Sequence, residues 1–258
     1  MTTTARDTWL LSARAFREGV RNPVVAFLFP TVFPLFMIWL TSESFREIVN
    51  LPGFPITPYS AYIAPAIVLL AAMMGAGSGA TSLILDAQTG FLDRLRLLPI
   101  RPAAILLGRL VFDAVRVLPA GIAVILVSLA LDARLDHGVT GALAVLGLLM
   151  LWSVAYNGVF YLVALVTRNA QAPIAVIPMF MPLMFLSTAF LPEQYLPAWI
   201  RTAAEWNPYD LLIRAARPFM TGEPTWEPVA EGLAAAIVVL LISQLVVAWA
   251  FSRLLRAD

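Results

Sequence analysis

Arginine is the residue type in this sequence with the greatest capacity for chemistry. Every basic side chain is an arginine, and four of them, Arg94, Arg96, Arg101 and Arg109, fall within the run GFLDRLRLLPIRPAAILLGRL, residues 90–110. The guanidinium group keeps its charge and hydrogen-bonds to carboxylates and phosphates in a fixed geometry. The run ends one apolar segment and begins the next, so it concentrates positive charge at the junction between two segments.

A second charged pattern follows directly. Arg109, Asp113 and Arg116 have the spacing i, i+4, i+7, which places them on one face of a helix. Ionisable groups this close to an apolar span pair with one another or face a cavity. The pattern favours a self-paired cluster at the cytoplasmic membrane interface, and a mechanical link between the arginine-rich run and the span that follows is the alternative.

Residues of conventional active sites are scarce. The sequence has no cysteine, which excludes disulfides, thiolate zinc sites and cysteine nucleophiles. Its single histidine, His137, lies in the polar stretch DARLDHGV, and one histidine does not make a conventional zinc site. Ser78 has neither a histidine nor an acid near it within the membrane to activate it. We therefore predict no metal site and no catalytic residue.

Membrane helices are the elements that must position these side chains. Of the 258 residues, 60% are hydrophobic and 13% are charged, and long apolar runs recur along the chain. In lipid, an open chain can satisfy its backbone polar groups only as helices. The sequence predicts one all-α membrane domain over residues 1–258 with six transmembrane helices, at about 24–40, 61–85, 103–131, 141–166, 172–190 and 232–251.

The distribution of charge predicts the orientation. If both termini share one side, that side holds 12 of the 17 arginines and 6 of the 16 acids. Cytoplasmic segments carry the excess of arginine, so we predict that both termini are cytoplasmic. Residues 1–22 then form an amphipathic interfacial helix with Trp9, Ala13, Phe16 and Val20 on one face. Residues 192–221, between spans five and six, are predicted to form outer-leaflet helices.

Within the arginine-rich run, residues 91–98 predict a short cytoplasmic helix parallel to the membrane. Its apolar side chains gather on one side, namely Phe91, Leu92, Leu95 and Leu98. The other side carries Asp93, Arg94, Arg96 and Leu97. Pro99 and Pro102 end the helix, because proline cannot continue the hydrogen-bond ladder. One face therefore meets the membrane domain, and the polar face with its exposed leucine meets something else.

Two stretches resemble the type-2 ABC exporter permeases, especially those of the daunorubicin-resistance type. The arginine-rich run is similar to the cytoplasmic loop of that family. Residues 189–222, AFLPEQYLPAWIRTAAEWNPYDLLIRAARPFMTG, resemble its outer segment, and the matching positions include Asn207, Pro208, Arg217 and Gly222. The stretch DAQTG departs from the family, which often has a glutamate-rich run there, so the role of Asp86 stays open.

This resemblance implies a permease subunit that exports a hydrophobic or amphipathic substrate, such as a drug-like molecule or a lipid. ATP and Mg would be bound by separate cytoplasmic ABC ATPase subunits, because the chain has no G-x-x-x-x-G-K-[ST] run and no lysine. Residues 91–98 would be the coupling helix docked on that ATPase. The residues assigned to coupling are Gly90, Phe91, Leu92, Arg94, Leu95, Arg96, Leu97, Pro99 and Arg101.

The resemblance also implies a second permease copy, or a related chain, in the bacterial cell (inner) membrane. Spans two and five line the dimer axis in the resembled family, and small residues four apart allow close helix approach. The residues assigned to a substrate path or dimer seam are Met73, Met74, Gly75, Gly79, Met181, Met184 and Phe185. Packing within the subunit is the alternative role for them. Membrane lipids are expected as further partners, and nucleic acid is not.

Two other functions stay open at this point. The first is an ATP-independent membrane protein, such as a secondary carrier or an intramembrane enzyme. Proton-coupled carriers usually show isolated acids deep in their spans, which this sequence lacks, and no inverted repeat is visible. The second is a permease for lipid-linked glycans, because the sequence does not identify the cargo.

Overall fold

The protein is built from α-helices, and no β-strand occurs among residues 3–222 and 225–256, which the computed structural model describes. The α-helices are α1 (Thr3–Arg21), α2 (Phe29–Ser44), α3 (Tyr59–Gly75), α4 (Ser78–Gln88), α5 (Phe91–Arg96), α6 (Pro102–Arg116), α7 (Leu118–Ala130), α8 (Gly138–Thr167), α9 (Ala172–Val176), α10 (Met181–Phe185), α11 (Ala198–Glu205), α12 (Pro208–Met220) and α13 (Trp226–Arg256). A π-helical turn, Val24–Leu28, precedes α2, and 3-10 turns lie at Arg46–Asn50, Ile177–Phe180 and Glu193–Tyr195.

Five helical stretches in the described part of the chain are long and apolar enough to cross a bilayer. They are Ala26–Ser44, Tyr59–Gln88, Ala103–Ala130, Gly138–Thr167 and Trp226–Arg253. They overlap the first, second, third, fourth and sixth predicted spans. The described part of the chain is therefore all-helical, and its long apolar helices are typical of a multi-pass membrane protein.

Two of these five stretches contain a break. In span two, α3 ends at Gly75 and α4 starts at Ser78, and Gly77 between them has φ +86°, which glycine adopts without steric cost. In span three, α6 ends at Arg116 and α7 starts again with Pro119 in its first turn. Proline has no N–H to extend the preceding helix, so the hydrogen-bond ladder restarts there.

The fifth predicted span, over residues 172–190, is a broken helix rather than a continuous one. Helices α9 and α10 are joined by a 3-10 turn, and residues after Leu186 are not helical. Pro173, Pro178 and Pro182 are the physical reason, because each removes a backbone donor from the ladder. As a straight helix, Ala172–Phe185 would cover only about 20 Å, compared with roughly 30 Å of hydrocarbon in a bilayer.

The path of the chain nevertheless requires this segment to join the two ends of the bundle. Helices α8 and α13 run parallel, since the His137 ring lies 2.6 Å from the Gly222 carbonyl oxygen and the Ser243 hydroxyl donates to the Ala155 carbonyl. We call the end of the bundle that holds residue 137 the His137 end. The opposite end, where Arg14 lies, is the Arg14 end. The chain must return from the Arg14 end to the His137 end between α8 and α13.

The broken segment makes this return alongside span two. The Thr81 hydroxyl donates to the Ala170 carbonyl at 2.8 Å, and the Tyr62 hydroxyl donates to the Thr188 carbonyl at 2.7 Å. Thr81 and Tyr62 are separated by about 28 Å of helix, counting 1.5 Å per residue. Residues 170–188 therefore run antiparallel to span two over most of its length.

Span two is the central element of the fold. Every residue of α3 is buried, and its side chains pack on α2, α7, α8 and α12. Helix α13, by contrast, exposes a wide apolar face that includes Leu241, Ile242 and Leu245. An apolar helix with little burial inside the chain is suited to contact with lipid or with another apolar helix.

Candidate functional site

Helix α5 is a short rod held at the Arg14 end between spans two and three. Gly90 precedes it with φ +68°, a left-handed conformation that glycine adopts readily. Leu92 and Leu95 are buried against the bundle, whereas Leu97 is 86% exposed. Arg94, Pro99 and Arg101 are also exposed, and the side chain of Arg96 lies outside what the structure describes.

The helix is shorter than predicted, and its apolar face is narrower. It ends at Arg96 instead of Leu98, and Leu98 is 51% exposed instead of packing with Leu95. Pro99 is the reason, because the residue before a proline is disfavoured in the helical region. The result is a polar surface with two exposed leucines, Leu97 and Leu98, facing away from the bundle.

Helix α1 packs across α6 at the same end. The Ser12 hydroxyl donates to the Gly108 carbonyl at 3.0 Å, and the Phe16 and Phe112 rings meet edge to face at 4.9 Å. Only part of the predicted apolar face of α1 takes part in this contact with α6. Phe16 packs on the protein, but Trp9 and Val20 are both 66% exposed and lie on the outer side of the helix. The small residues on the face toward α6, not the large ones, allow the close crossing.

Asp86 binds two arginines from two other elements. Arg14 of α1 makes a bidentate contact with the Asp86 carboxylate, with both nitrogen–oxygen distances at 2.7 Å. Arg109 of α6 donates to the same carboxylate and, at 3.3 Å, to the Gly79 carbonyl. The hydrogen bond to Asp86 raises the pKa of Arg14. We call Arg14, Asp86 and Arg109 the Asp86 cluster, and it joins α1, α4 and α6.

A second buried group lies deeper along the same helices. Asp113 accepts a hydrogen bond from the Tyr161 hydroxyl at 2.7 Å, and its other oxygen lies 2.8 Å from the Nε of Arg116. Arg116 also donates to the Gly75 carbonyl and to the Ser78 hydroxyl, on either side of the break in span two. A cation at a helix C-terminus satisfies carbonyls that the helix leaves free. We call Asp113, Arg116 and Tyr161 the Asp113 cluster.

The structure therefore divides the predicted trio of charged residues on span three. Arg116 pairs with Asp113 on its own helix, as one interpretation expected, but Arg109 pairs with Asp86 instead. Asp86, whose role the sequence left open, balances Arg109 across two elements. All four of these side chains are buried. The signal that could have identified Asp86 is an acid near the end of an apolar run that faces a cationic helix.

Arg14 also contacts the short rod directly. Its guanidinium carbon lies 3.8 Å from the centre of the Phe91 ring, which is a cation–π distance. Phe91 is the first residue of α5, and Asp86 lies near the end of α4. One arginine thus connects the N-terminal helix to both the end of span two and the beginning of α5.

The residues assigned to a dimer seam lie mostly inside this chain. Met73, Met74 and Met184 are buried, and Gly75 and Gly79 face Arg116 and Asp113 of span three. These five positions are buried among the side chains of this chain, and their assignment to a substrate path or dimer seam stays a prediction. Met181 is half-buried, and Phe185 is 62% exposed with its ring stacked on Phe190. Only these last two of the predicted set reach the surface.

The outer-segment motif fastens α12 to the broken segment and to the His137 end. The Asn207 side-chain amide donates to the Leu183 and Leu186 carbonyls, and its oxygen caps α12, in which Pro208 is the first residue. Arg217 donates to the Thr188 carbonyl, and its guanidinium carbon lies 4.0 Å from the centre of the Tyr62 ring.

Gly222 completes the same attachment. Its φ is +108°, its N–H donates to the Asp136 carboxylate and its carbonyl oxygen lies beside His137. His137 and Asp136 are thus parts of a loop contact. This arrangement gives the single histidine a structural role at the start of α8.

Sequence reasoning missed Asp210, which is fully buried in α12. Its carboxylate accepts hydrogen bonds from the Thr188 backbone N–H and hydroxyl, and from the Nε of Arg214 at 2.6 Å. We call Thr188, Asp210 and Arg214 the Asp210 cluster. The i, i+4 spacing of Asp210 and Arg214 was the available signal, but the contact with Thr188 spans 22 residues of chain.

Comparison with known proteins identifies the family. The family model for the ABC-2 type transporter matches residues 6–220, which run from α1 to the end of α12. The chain belongs to the ABC-2 type transporter family. It is 25% identical over 210 residues to the daunorubicin resistance ABC transporter permease protein DrrB1 of Streptomyces coeruleorubidus, covering 81% of this chain and 71% of that protein.

Two relatives from Mycobacterium tuberculosis share a shorter stretch. Both are described as the probable doxorubicin resistance ABC transporter permease protein DrrC, in strains CDC 1551 / Oshkosh and ATCC 25618 / H37Rv. Each is 28% identical over 166 residues, which is 64% of this chain and 60% of the relative. The match to each of these two relatives therefore spans less than two thirds of its length.

Proposed function

We propose that the chain is the membrane-spanning permease subunit of an ATP-driven exporter. The single observation that carries this proposal is the form of α5. It is a short rod between two spans with Leu92 and Leu95 buried, and it exposes Arg94 together with Leu97 and Arg101, which lie in the turn that follows it. An exposed leucine among exposed arginines favours a surface that binds a protein partner over one that faces only water. Large apolar side chains exposed in a polar surface are typical of interaction sites.

The partner of α5 is proposed to be a cytoplasmic ABC ATPase that binds ATP and Mg. Membership of an ABC transporter family supports this assignment, and the lack of a phosphate-binding loop in this sequence supports ATP hydrolysis by a separate subunit. The arginines in and directly after α5, which outnumber its one acid, suit an acidic groove on such a partner. Movement of the ATPase would then reach the bundle through α5, and from there the Asp86 cluster.

The Arg14 end is proposed to face the cytoplasm, with six crossings in all. Arginines of α1, of the α5 region and of the C-terminal part of α13 gather at this end, which supports the cytoplasmic assignment. The return path of residues 170–188 alongside span two supports a sixth crossing. Helices α11 and α12 then lie in the outer half of the bilayer of a bacterial cell membrane.

The cargo is proposed to be a hydrophobic or amphipathic molecule, either drug-like or lipid-like. The names of the relatives, which refer to daunorubicin and doxorubicin resistance, support a drug-like cargo. The exposed apolar surface of α10 and α13 supports assembly with a second permease copy or a related chain. The unit that assembles in this way is proposed to be one domain over residues 1–258.

Replacing Leu97 with aspartate tests the proposal. Leu97→Asp is expected to lower co-purification of a cognate ABC ATPase and to lower ATP-dependent export about tenfold, while the helical content stays unchanged. Val139→Asp is the matched control, because Val139 is 75% exposed at the opposite end of the bundle. Full export by the Leu97→Asp variant, or an equal loss in both variants, would overturn the assignment of α5.

A further inference from the structure

A cavity of about 210 Å³ lies beside the Asp86 cluster at the Arg14 end. It is enclosed by α1, α4 and α6, and Ile174 of the broken segment completes its wall. Two of its apolar lining residues, Leu85 and Ile174, are each nearly half exposed, so the cavity opens toward the lipid-facing side of the bundle. The lining is mainly apolar, with a small number of polar groups.

The polar groups of this cavity carry opposite charges. Arg109 is more than nine-tenths buried, and Glu18 of α1 is partly exposed. Arg109 donates to Asp86 and Gly79 and also lines the cavity, and a guanidinium carries five N–H groups, so this side chain has the capacity to bind a further acceptor. The hydroxyl of Ser82 and the side chain of Asn22 also line it.

Charge balance identifies the chemistry of the occupant. The Asp86 carboxylate lies between two guanidinium groups, and Glu18 lies 3.8 Å from Arg14, so the four side chains together carry no net charge. A ligand with a net charge would unbalance this half-buried site, and burial makes an unpaired charge costly. A neutral ligand with separate positive and negative groups would match both Arg109 and Glu18.

We propose that this cavity binds the headgroup of phosphatidylethanolamine, with the phosphate at Arg109 and the primary ammonium at Glu18. The site lies at the membrane end where a phospholipid headgroup would be found under the proposed orientation. A shallow apolar groove lined by Pro23, Val24, Phe27, Leu28 and Thr31 begins one residue after Asn22. This groove would receive an acyl chain, and the lipid would brace α1 against α4 and α6.

Lipid binding to the purified full-length chain tests this inference. Native mass spectrometry would compare dioleoyl phosphatidylethanolamine, phosphatidylcholine and phosphatidylglycerol, all with the same acyl chains. Phosphatidylethanolamine is expected to bind as one molecule per chain, about tenfold more tightly than the other two, because a lost charge-assisted hydrogen bond is worth that factor. Methylation removes the N–H donors in phosphatidylcholine, and phosphatidylglycerol has no cation.

Two variants and a control make the test specific. Glu18→Gln is expected to reduce the preference for phosphatidylethanolamine to less than twofold, and Ser82→Leu is expected to fill the cavity and weaken binding of the same lipid about tenfold. Asp7→Asn removes an acid from the same helix outside the cavity and should leave the preference intact. Equal binding of the three lipids, tightest binding of phosphatidylglycerol, or a preference that survives Glu18→Gln would overturn the inference. No ATPase is present, so failure here leaves the proposed export function untouched.

Discussion

The Asp86 cluster and the Asp210 cluster lie at opposite ends of the bundle and use the same residue types differently. Both surround a buried aspartate with arginine. Both partners of Asp86 come from other helices, Arg14 of α1 at a distance of 72 residues and Arg109 of α6 at 23 residues, and Arg14 is 35% exposed. The partners of Asp210 are its own helix neighbour Arg214 and the backbone and side chain of Thr188.

Under the proposed function, we expect the Asp86 cluster to act as a joint that moves and the Asp210 cluster to act as a clamp that holds α12 in place. Arg14 contacts Asp86 and the Phe91 ring at once, so a shift of α5 changes the environment of the cluster. Among the residues that the structure describes, the Asp210 cluster makes no contact with α5, and it holds α12 to the end of the broken segment. We therefore expect changes at Asp210 to affect stability, and changes at Asp86 to affect coupling as well.

The largest expected effect on stability is at Asp210. Asp210→Ala leaves the Thr188 N–H without its acceptor and Arg214 without its buried partner, which should lower the free energy of unfolding by about 3–5 kcal/mol. Unfolding in detergent measures this loss. Glu205→Ala, an exposed acid on α11, is the control and should change stability little. A loss below about 1 kcal/mol for Asp210→Ala would show that the Asp210 cluster does not act as a clamp.

Asp86→Asn is expected to have a smaller effect on stability and a larger one on transport. The loss of unfolding free energy should be about 2 kcal/mol, because the asparagine oxygen can still accept a hydrogen bond from the buried Arg109 and Arg14 can turn toward water. Export per correctly folded molecule should fall further than abundance does. Asp86→Glu keeps the charge and should restore most of the export. Equal losses of export and abundance would make Asp86 a second clamp.

Gly79→Ala tests the packing between span two and the Asp113 cluster. A Cβ at this position would lie 2.5 Å from the Tyr161 hydroxyl and 2.6 Å from the nearer Asp113 oxygen. Overpacking of this kind should cost about 1–3 kcal/mol of unfolding free energy. Gly147→Ala is the matched control, because a Cβ there meets nothing within 4 Å. Equal stability of the two variants would show that α4 can shift away from α6 without strain.

The smallest expected change in stability is at Phe91. Phe91→Leu keeps the apolar contact but removes the cation–π interaction with Arg14, which should cost about 0.5–1 kcal/mol. If that interaction transmits motion, export should fall by up to about fivefold with almost no change in abundance. Phe36→Leu, at a half-exposed position on α2, should leave export unchanged. Unaltered export in the Phe91→Leu variant would exclude Arg14 as the link to α5.

Much of this architecture is accessible from the sequence, because it depends on local periodicity. Apolar runs predict the five long helices, and Pro99 with Gly90 bounds α5 closely. The prolines of the fifth predicted span predict kinks in its helix. They do not predict the final arrangement of the segment, because neighbouring helices can still hold a broken helix in place. Here Tyr62 and Thr81 hold both of its ends.

The pairing of the charged residues could not be predicted in the same way. Arg14 and Asp86 are 72 residues apart, and their contact depends on the angle at which α1 crosses α6. The spacing of Arg109, Asp113 and Arg116 places them on one face but does not say which acid each arginine meets. The buried position of Met73 likewise follows from the central place of span two in the bundle, which hydropathy alone does not reveal.

Site-specific crosslinking at α5 tests most directly whether this helix receives the ATPase. The chain contains no cysteine, so Leu97→Cys introduces a unique thiol without further changes. In membranes that contain a cognate ABC ATPase, a short amine- and thiol-reactive crosslinker should join the two proteins at Leu97→Cys and not at Val139→Cys. A crosslink from Val139→Cys alone, or none from Leu97→Cys when the complex is intact, would show that α5 is not the docking helix.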